Sequence, residues 1–401
     1  MRYIRPMDVD LYRRVRSVTE ALAAPLTVED QTVQTMPDVS PTKWHLAHTS
    51  WFFETFLLRP YAPGYRPLDE RYATLFNSYY IGAGDRFHRP SRGHLSRPTV
   101  DEILAYRRHV DEHMQPLLAD PAHAFRIELG LNHEEQHQEL ILTDIKHVLG
   151  TNPLHPPYVP DPTVHVHGSS PSPSFTAHPG GLLDIGHPDS DGFSFDNERP
   201  RHRVYLAPFE LATRLVTNGD WLTFIRDGGY QRADLWLSDG WDARAAAGWE
   251  APLYWLPDGQ LYSLHGVRPL APDEPVCHVS HYEADAYARW AGGRLPLEEE
   301  LELAAAATHS RNFLESGRLH PTPSGGGVWQ WTSSAYRPYP GFVPFDGALG
   351  EYNGKFMSNR MVLRGGSCFT PRRHIRPSYR NFFPPDARWQ MTGLRLARGA
   401  T

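Results

Sequence analysis

The stretch 129–145, LGLNHEEQHQELILTDI, decides how the N-terminal part of this chain is read. At 3.6 residues per turn, Leu129, His133, His137, Leu140, Ile141 and Val148 share one side of a helix. Glu134, Glu135, Gln138 and Lys146 mostly look elsewhere. Two imidazoles in an apolar stripe need a reason to be there, and an i,i+4 spacing lets both rings reach one ion. A second pair, His45 and His48, sits in 41–56, PTKWHLAHTSWFFETF, with the same helical period. Two helices that each aim histidine inward are how a bundle builds a metal site. The plain alternative is a set of hydrogen-bonded core histidines. The spacing of 133–137 is read as one residue too long for the zinc-protease motif, so that reading is set aside.

Working outward, the periodicity predicts helices over 8–24, 41–58, 99–118 and 122–149. Ser40-Pro41 and Asp120-Pro121 put a capping side chain before a proline, Thr99 and Glu102 read as a capping box, and Gly150 as a stop. Four helices with a long connection over 59–98 describe a bundle. Residues 151–180, rich in Pro, Ser and His, read as a linker, and the histidines within 164–178 carry only a compositional hint of metal binding. Beyond them, β-like runs at 202–212, 361–369 and 392–398 alternate with Gly, Trp, Tyr and Pro, and helices are expected at 214–227 and 280–291. The fold class is therefore α+β: a helical bundle over 1–155, a linker over 156–180, and an irregular domain over 181–401.

At 401 residues the chain exceeds the roughly 250–300 at which single cores stop growing, which supports two domains. Hydrophobic content of 40% and charged content of 21% fit a soluble globular protein. The net charge of −6 comes without a basic stripe, so nucleic acid is not an expected partner. No apolar run reaches the roughly 18 residues of a bilayer span, and the N-terminus has no signal-peptide core. Cys277 and Cys368 make no disulfide framework and fit a reducing cytoplasm.

Several stretches carry a resemblance. SPTKWHLAHTSWFFETF (40–56), LFNSYYIGAG (75–84) and LNHEEQHQELILTDI (131–145) look like the DinB-type bundle of the ergothioneine-type sulfoxide synthases. The run 193–221, the run 276–296, LGEYNGKFM (349–357) and the run 362–398 look like their second domain. That domain is of formylglycine-generating-enzyme type, with a C-type-lectin-like fold.

The resemblance implies a mononuclear non-haem Fe(II) held by His48, His133 and His137, with His45 beside the motif as a packing or supporting residue. It implies an O₂-dependent joining of a thiol, cysteine or γ-glutamylcysteine, to the imidazole carbon of hercynine, with oxidation of the sulfur. Three histidines leave three positions open on an octahedral ion, and coordination deprotonates a thiol. Tyr79 and Tyr80 resemble the proton or hydrogen-atom donors of one branch, and Tyr336 and Tyr339 compete for that role. Gln136 is placed to bond the hercynine imidazole. Asn381 and Phe382 match contacts to its carboxylate and betaine, where aromatic faces such as Phe382, Phe383 and Trp389 suit a trimethylammonium. Arg86, Arg89 and Arg92 are candidate clamps for the thiol substrate's carboxylate, of which at most two are expected to matter. Phe383 stands where relatives specific for γ-glutamylcysteine carry an acidic residue, which favours free cysteine. RLPLEEELELAA (294–305) and Gln330 also depart from the family pattern.

Rivals with the same fold are an ovothiol-type synthase acting on histidine and a selenoneine synthase. More distant are a DinB-type thiol transferase, a formylglycine-generating oxidase, which needs a closely spaced cysteine pair this chain lacks, and a lectin-like binding module. The site is expected where the two domains meet.

Overall fold

Asp8 opens the first helix by accepting the backbone N–H of Asp10 at 2.9 Å, and α1 then runs Val9–Ala23. The structure is a computed structural model and describes residues 8–160, 170, 172–190, 192–305 and 310–399. Helix α2 spans Thr42–Phe53 and continues through a π turn, Glu54–Leu58. Helices α3 (Val100–Leu118) and α4 (Ala124–Thr151) complete the bundle. The capping box at Thr99 and Glu102 forms, and Asp120 accepts the N–H of Ala122.

Two local expectations need correction. Ser40 does not cap α2, because Pro41 is the N-cap residue and the Ser40 N–H goes instead to Asp144 Oδ2 at 2.9 Å. Gly150 does not stop α4, which runs one residue further. Away from the histidine stripe, α4 is buried as well. Glu134, Glu135, Gln138 and Lys146 are all buried. The reason is visible in part. Glu134 lies between Arg16 of α1 and Arg107 of α3, at 2.9 and 3.0 Å, and Gln138 donates to the Val15 carbonyl at 2.9 Å. A charge inside a bundle persists only when paired, and these pairs tie α1 and α3 to α4.

Helix α1 packs on α4, and α2 packs on both α3 and α4. The α2–α4 contact is close enough to require Gly130, where a Cβ would come within 2.6 Å of the Phe53 ring. One compact unit comprises Met1–Tyr158 together with two later segments, Ser190–Phe195 and Pro344–Tyr352. Those segments bring aromatic side chains to the bundle: Phe345 meets Phe125 edge-on at 5.2 Å, and Phe195 stacks on Tyr352.

The second unit holds the rest of the chain from Val159. Its strands are β1 (Phe175–His178), β2 (Gly181–Ile185), β3 (His202–Leu206), β4 (Phe209–Ala212), β5 (Trp255–Leu256), β6 (Gln260–Ser263), β7 (Gly266–Pro269), β8 (Trp329–Ala335), β9 (Met361–Arg364), β10 (Asn381–Phe383), β11 (Thr392–Gly393) and β12 (Ala397–Gly399). They form sheets ordered β1-β4-β12, β10-β9-β8-β11, β2-β3 and β5-β6-β7, antiparallel except for β11 beside β8. The expected helices appear as α5 (Asn218–Arg226) and α7 (His281–Trp290), while α6 (Ser238–Ala247) and α8 (Glu298–Leu303) were not foreseen. The sequence departures now have local partners. Glu298 receives Arg364 and Arg380, and Gln330 accepts Arg395 Nε at 2.9 Å. Of the linker histidines, His165 and His167 lie outside the described residues, and His178 stacks on Phe209 in β1.

Candidate metal centre

Helical spacing alone sets the first layer of the site. Along α2, Trp44, His48 and Trp51 follow at i−4 and i+3, so the His48 ring lies between two indoles at 4.6 and 5.3 Å. Each indole N–H is satisfied by a carbonyl of the 72–76 segment, Leu75 for Trp44 and Ala73 for Trp51. On α4, His133 and His137 meet edge-on one turn apart at 4.6 Å, and His133 stacks on Phe52 of α2 at 4.5 Å. His48, His133 and His137 each offer a ligand atom, and these atoms all lie within 4.8 Å of one another. Among the described residues this is the one His/Cys/Asp/Glu cluster that could hold a metal ion.

The hydrogen bonds fix which nitrogen points inward. His48 donates from Nδ1 to the Phe76 carbonyl at 2.6 Å, which leaves Nε2 as acceptor, and that atom is 3.2 Å from His133 Nε2. Two imidazole nitrogens bound side by side to one ion at about 2.0–2.2 Å sit roughly this far apart. The Nδ1 of His133 is buried without a partner among the described residues. His137 turns its Nδ1 to His45 Nδ1 at 2.9 Å. Burial holds His48 and His137 well below the ordinary histidine range, each with help from neighbouring His133, and pushes His133 down to about 3. All three are thus neutral imidazoles with lone pairs available, the form a metal needs. The donor set fits a borderline divalent ion.

The run His133-Glu134-Glu135-Gln136-His137 does carry the letters of the zinc-protease motif, so spacing gives no ground to exclude it. Glu134 itself does. Burial would raise its carboxyl, but Arg16 and Arg107 outweigh that and hold it at about 2. A carboxylate locked between two guanidinium groups is no general base.

A turn built by Asn77 carries Tyr79 and Tyr80. The buried Asn77 side chain accepts the Tyr80 N–H and donates to the carbonyls of Tyr80, Gly84 and Asp85. Glu351, from the segment Pro344–Tyr352, accepts the N–H groups of Ile81 and Gly82 at 2.9 and 2.6 Å. A Cβ at Gly82 would meet that carboxylate at 2.9 Å, so the clamp needs glycine there. Tyr80 is buried against Trp51 at 5.5 Å and stacks on the half-buried Tyr79 at 4.6 Å. Burial raises the Tyr80 phenol well above its usual range. Tyr352 stands edge-on to His133 at 5.6 Å and faces Tyr79 at 6.3 Å. Sequence reading missed Tyr352, Asn77 and Glu351; only the asparagine, at a turn, left a local signal.

Of the arginines, Arg86 and Arg89 are exposed, and Arg89 bonds the Asp38 carbonyl. Arg92 is 3% exposed, donates to Ser40 Oγ at 2.9 Å, and lies 3.3 Å over the Trp44 ring. Its guanidinium, Trp44 and His48 thus form one stack. No carboxylate pairs with Arg92 among the described residues. Gln136 is half-buried one position before His137.

In the second unit, Asn381, Phe382 and Phe383 make up β10. Phe382 stacks on Tyr336 at 4.0 Å, and Phe383 meets Trp389 edge-on at 5.5 Å. The hydroxyl of Tyr336 accepts from Asn197 at 2.9 Å, and that of Tyr339 takes part in the Arg364–Glu298 network. Asn381 uses Oδ1 to accept the Phe382 N–H.

Two family models match parts of the chain. The DinB superfamily model matches residues 11–141, and the sulfatase-modifying factor enzyme 1-like domain matches 164–325 and 322–400. A hercynine oxygenase from Mycolicibacterium thermoresistibile is 34% identical over 412 residues, 90% of this chain and 88% of its own. One from Mycobacterium tuberculosis is 34% identical over 406 residues, 90% of this chain and 91% of its own. A formylglycine-generating enzyme from Streptomyces coelicolor is 28% identical across 55% of this chain and 88% of its own. No helix among the described residues is long and apolar enough to cross a membrane.

Proposed function

This chain belongs to the hercynine oxygenase family, and from that premise we propose that it is an Fe(II)- and O₂-dependent sulfoxide synthase of ergothioneine biosynthesis. It joins the sulfur of a thiol to the imidazole carbon of hercynine and oxidises that sulfur. The observation that carries the reading is the convergence of three neutral imidazoles, His48, His133 and His137, with ligand atoms within 4.8 Å of one another. Iron(II) held there supplies dioxygen activation and acidifies a bound thiol.

The chain's own residues supply the rest. Tyr79 and Tyr80 belong to the same unit as the histidines and reach them through Trp51, so they are the proton or hydrogen-atom donors in this reading. Tyr336 and Tyr339 are tied into the polar network of the second unit. Arg92 takes the thiol substrate's carboxylate: a buried guanidinium with no direct ion pair among the described residues gains most from one. Arg86 and Arg89, being exposed, add to that attraction at longer range. For hercynine, Gln136 is the contact proposed within the bundle; in the second unit, Phe382 and Tyr336 present stacked aromatic faces of the kind that suits a quaternary ammonium. Phe383, apolar and packed on Trp389, favours cysteine over γ-glutamylcysteine as donor.

The test is a product assay on the iron-loaded chain in air, with mass-spectrometric detection. Hercynine with cysteine should give the sulfoxide, and γ-glutamylcysteine should give less. Histidine with cysteine, or hercynine with a selenosugar, reads out the ovothiol and selenoneine alternatives. The reading is abandoned if neither hercynine–thiol mixture yields product.

A further inference from the structure

His45 is buried, yet it is not one of the three clustered ligands. Its Nε2 lies 3.0 Å from Asp144 Oδ2, and its Nδ1 lies 2.9 Å from His137 Nδ1. Asp144 follows His137 by seven residues, two turns along the same face of α4, and His45 precedes His48 by three on α2. Each helix therefore brings one of these two groups to the centre along with its ligands. The carboxylate is itself held, because the Ser40 N–H donates to the same oxygen at 2.9 Å.

The protons in this chain can be placed by elimination. A carboxylate only accepts, so His45 must carry its proton on Nε2 and donate it to Asp144. A neutral His45 then has a lone pair on Nδ1. His137 must donate into it from Nδ1, which leaves His137 Nε2 as the one nitrogen free to bind an ion. His48 reaches the same state by a different route, through the Phe76 carbonyl.

We propose that Asp144 and His45 are positioning residues for the metal, acting in series to hold His137 in the tautomer and orientation that present Nε2. This rests on the three-histidine metal reading above. The hydrogen bond to His45 also makes His137 a stronger donor, as outer partners of metal-bound histidines do.

Cobalt(II), titrated into the full-length metal-free chain against a chromophoric chelator, separates the outcomes. His45→Phe and Asp144→Asn should each weaken cobalt binding about 10- to 100-fold. The double variant should bind within about threefold of His45→Phe, because Asp144 acts through His45. His45→Asn, whose amide oxygen can accept near the Nδ1 position, should recover part of the loss. In the proton spectrum of the cobalt-loaded chain, the exchange-protected N–H of His137 should vanish in His45→Phe. Circular dichroism checks that each variant is folded, and Asp144→Asn, nearly isosteric, keeps the test open should His45→Phe fail to fold. Wild-type affinity in Asp144→Asn, or full additivity in the double variant, overturns the relay alone. A wild-type chain that binds no cobalt overturns the metal reading and the relay with it.

Discussion

His48 Nε2 and His133 Nε2 lie 3.2 Å apart across α2 and α4, although 85 positions separate them in the chain. Neither nitrogen has a better protein partner, and both rings are walled by aromatic side chains. Replacing His48, His133 or His137 by Ala should therefore reduce bound metal from about one equivalent per chain to below about a tenth, and abolish turnover. Elemental analysis after anaerobic reconstitution checks it. A lectin-like binding module predicts unchanged metal content.

Acid should weaken the metal-free fold in a defined window. Burial depresses the folded-state affinity of these histidines for protons, His133 from 6.5 to about 3. Between those values the unfolded chain binds more protons than the folded one, so stability is fully present above pH 6.5 and is lost as pH falls towards 3. Each such histidine contributes a slope of up to about 1.4 kcal/mol per pH unit within its own window. Urea midpoints measured from pH 7 to pH 4 should fall throughout; bound metal should raise the midpoint at pH 7 without flattening the decline, because it competes with protons for the folded chain's imidazoles. A flat profile contradicts the burial argument.

Glu134→Gln tests whether that residue is structural or a base. Removing its charge leaves Arg16 and Arg107 buried around a neutral amide. The expected cost is about 3–5 kcal/mol in chemical denaturation. A protease-type base would instead show a large loss of rate with little change in stability.

The tyrosine turn makes a kinetic prediction. Tyr79→Phe or Tyr80→Phe should lower kcat by about 10²-fold or more with little change in KM, as expected for loss of a proton donor. Tyr336→Phe should stay within a few-fold. Steady-state rates with hercynine and cysteine decide, and the reverse ranking would move the donor to the second unit.

Arg92→Met keeps the stem over Trp44 but removes the charge. It should raise KM for the thiol at least about tenfold and leave that for hercynine near its normal value. Equal effects on both substrates would assign Arg92 to the scaffold.

Much of the bundle was legible because helices are local. The 3.6-residue period placed all four helices to within a few residues, and the i,i+4 spacing of His133 and His137 already put both rings on one face. The second unit was less legible. Its strands are mostly two to five residues long and pair across large sequence separations, as β1 does with β4 and β12 with β4. Short runs of that kind carry little periodicity, and α8, rich in glutamate, looks solvated until Arg364 and Arg380 meet it.

Sequence by itself determined the helices, the face on which the histidines lie, and, through family resemblance, the chemistry to look for. Tertiary structure decided what each polar group does there. Glu134 becomes a buried ion-pair centre, Arg92 a buried guanidinium laid over Trp44, and Glu351 and Tyr352 neighbours of the tyrosine turn. The physical reason is that a side chain's spacing along a helix is fixed by backbone geometry. Its burial, partner and proton depend on groups that arrive from tens to hundreds of residues away.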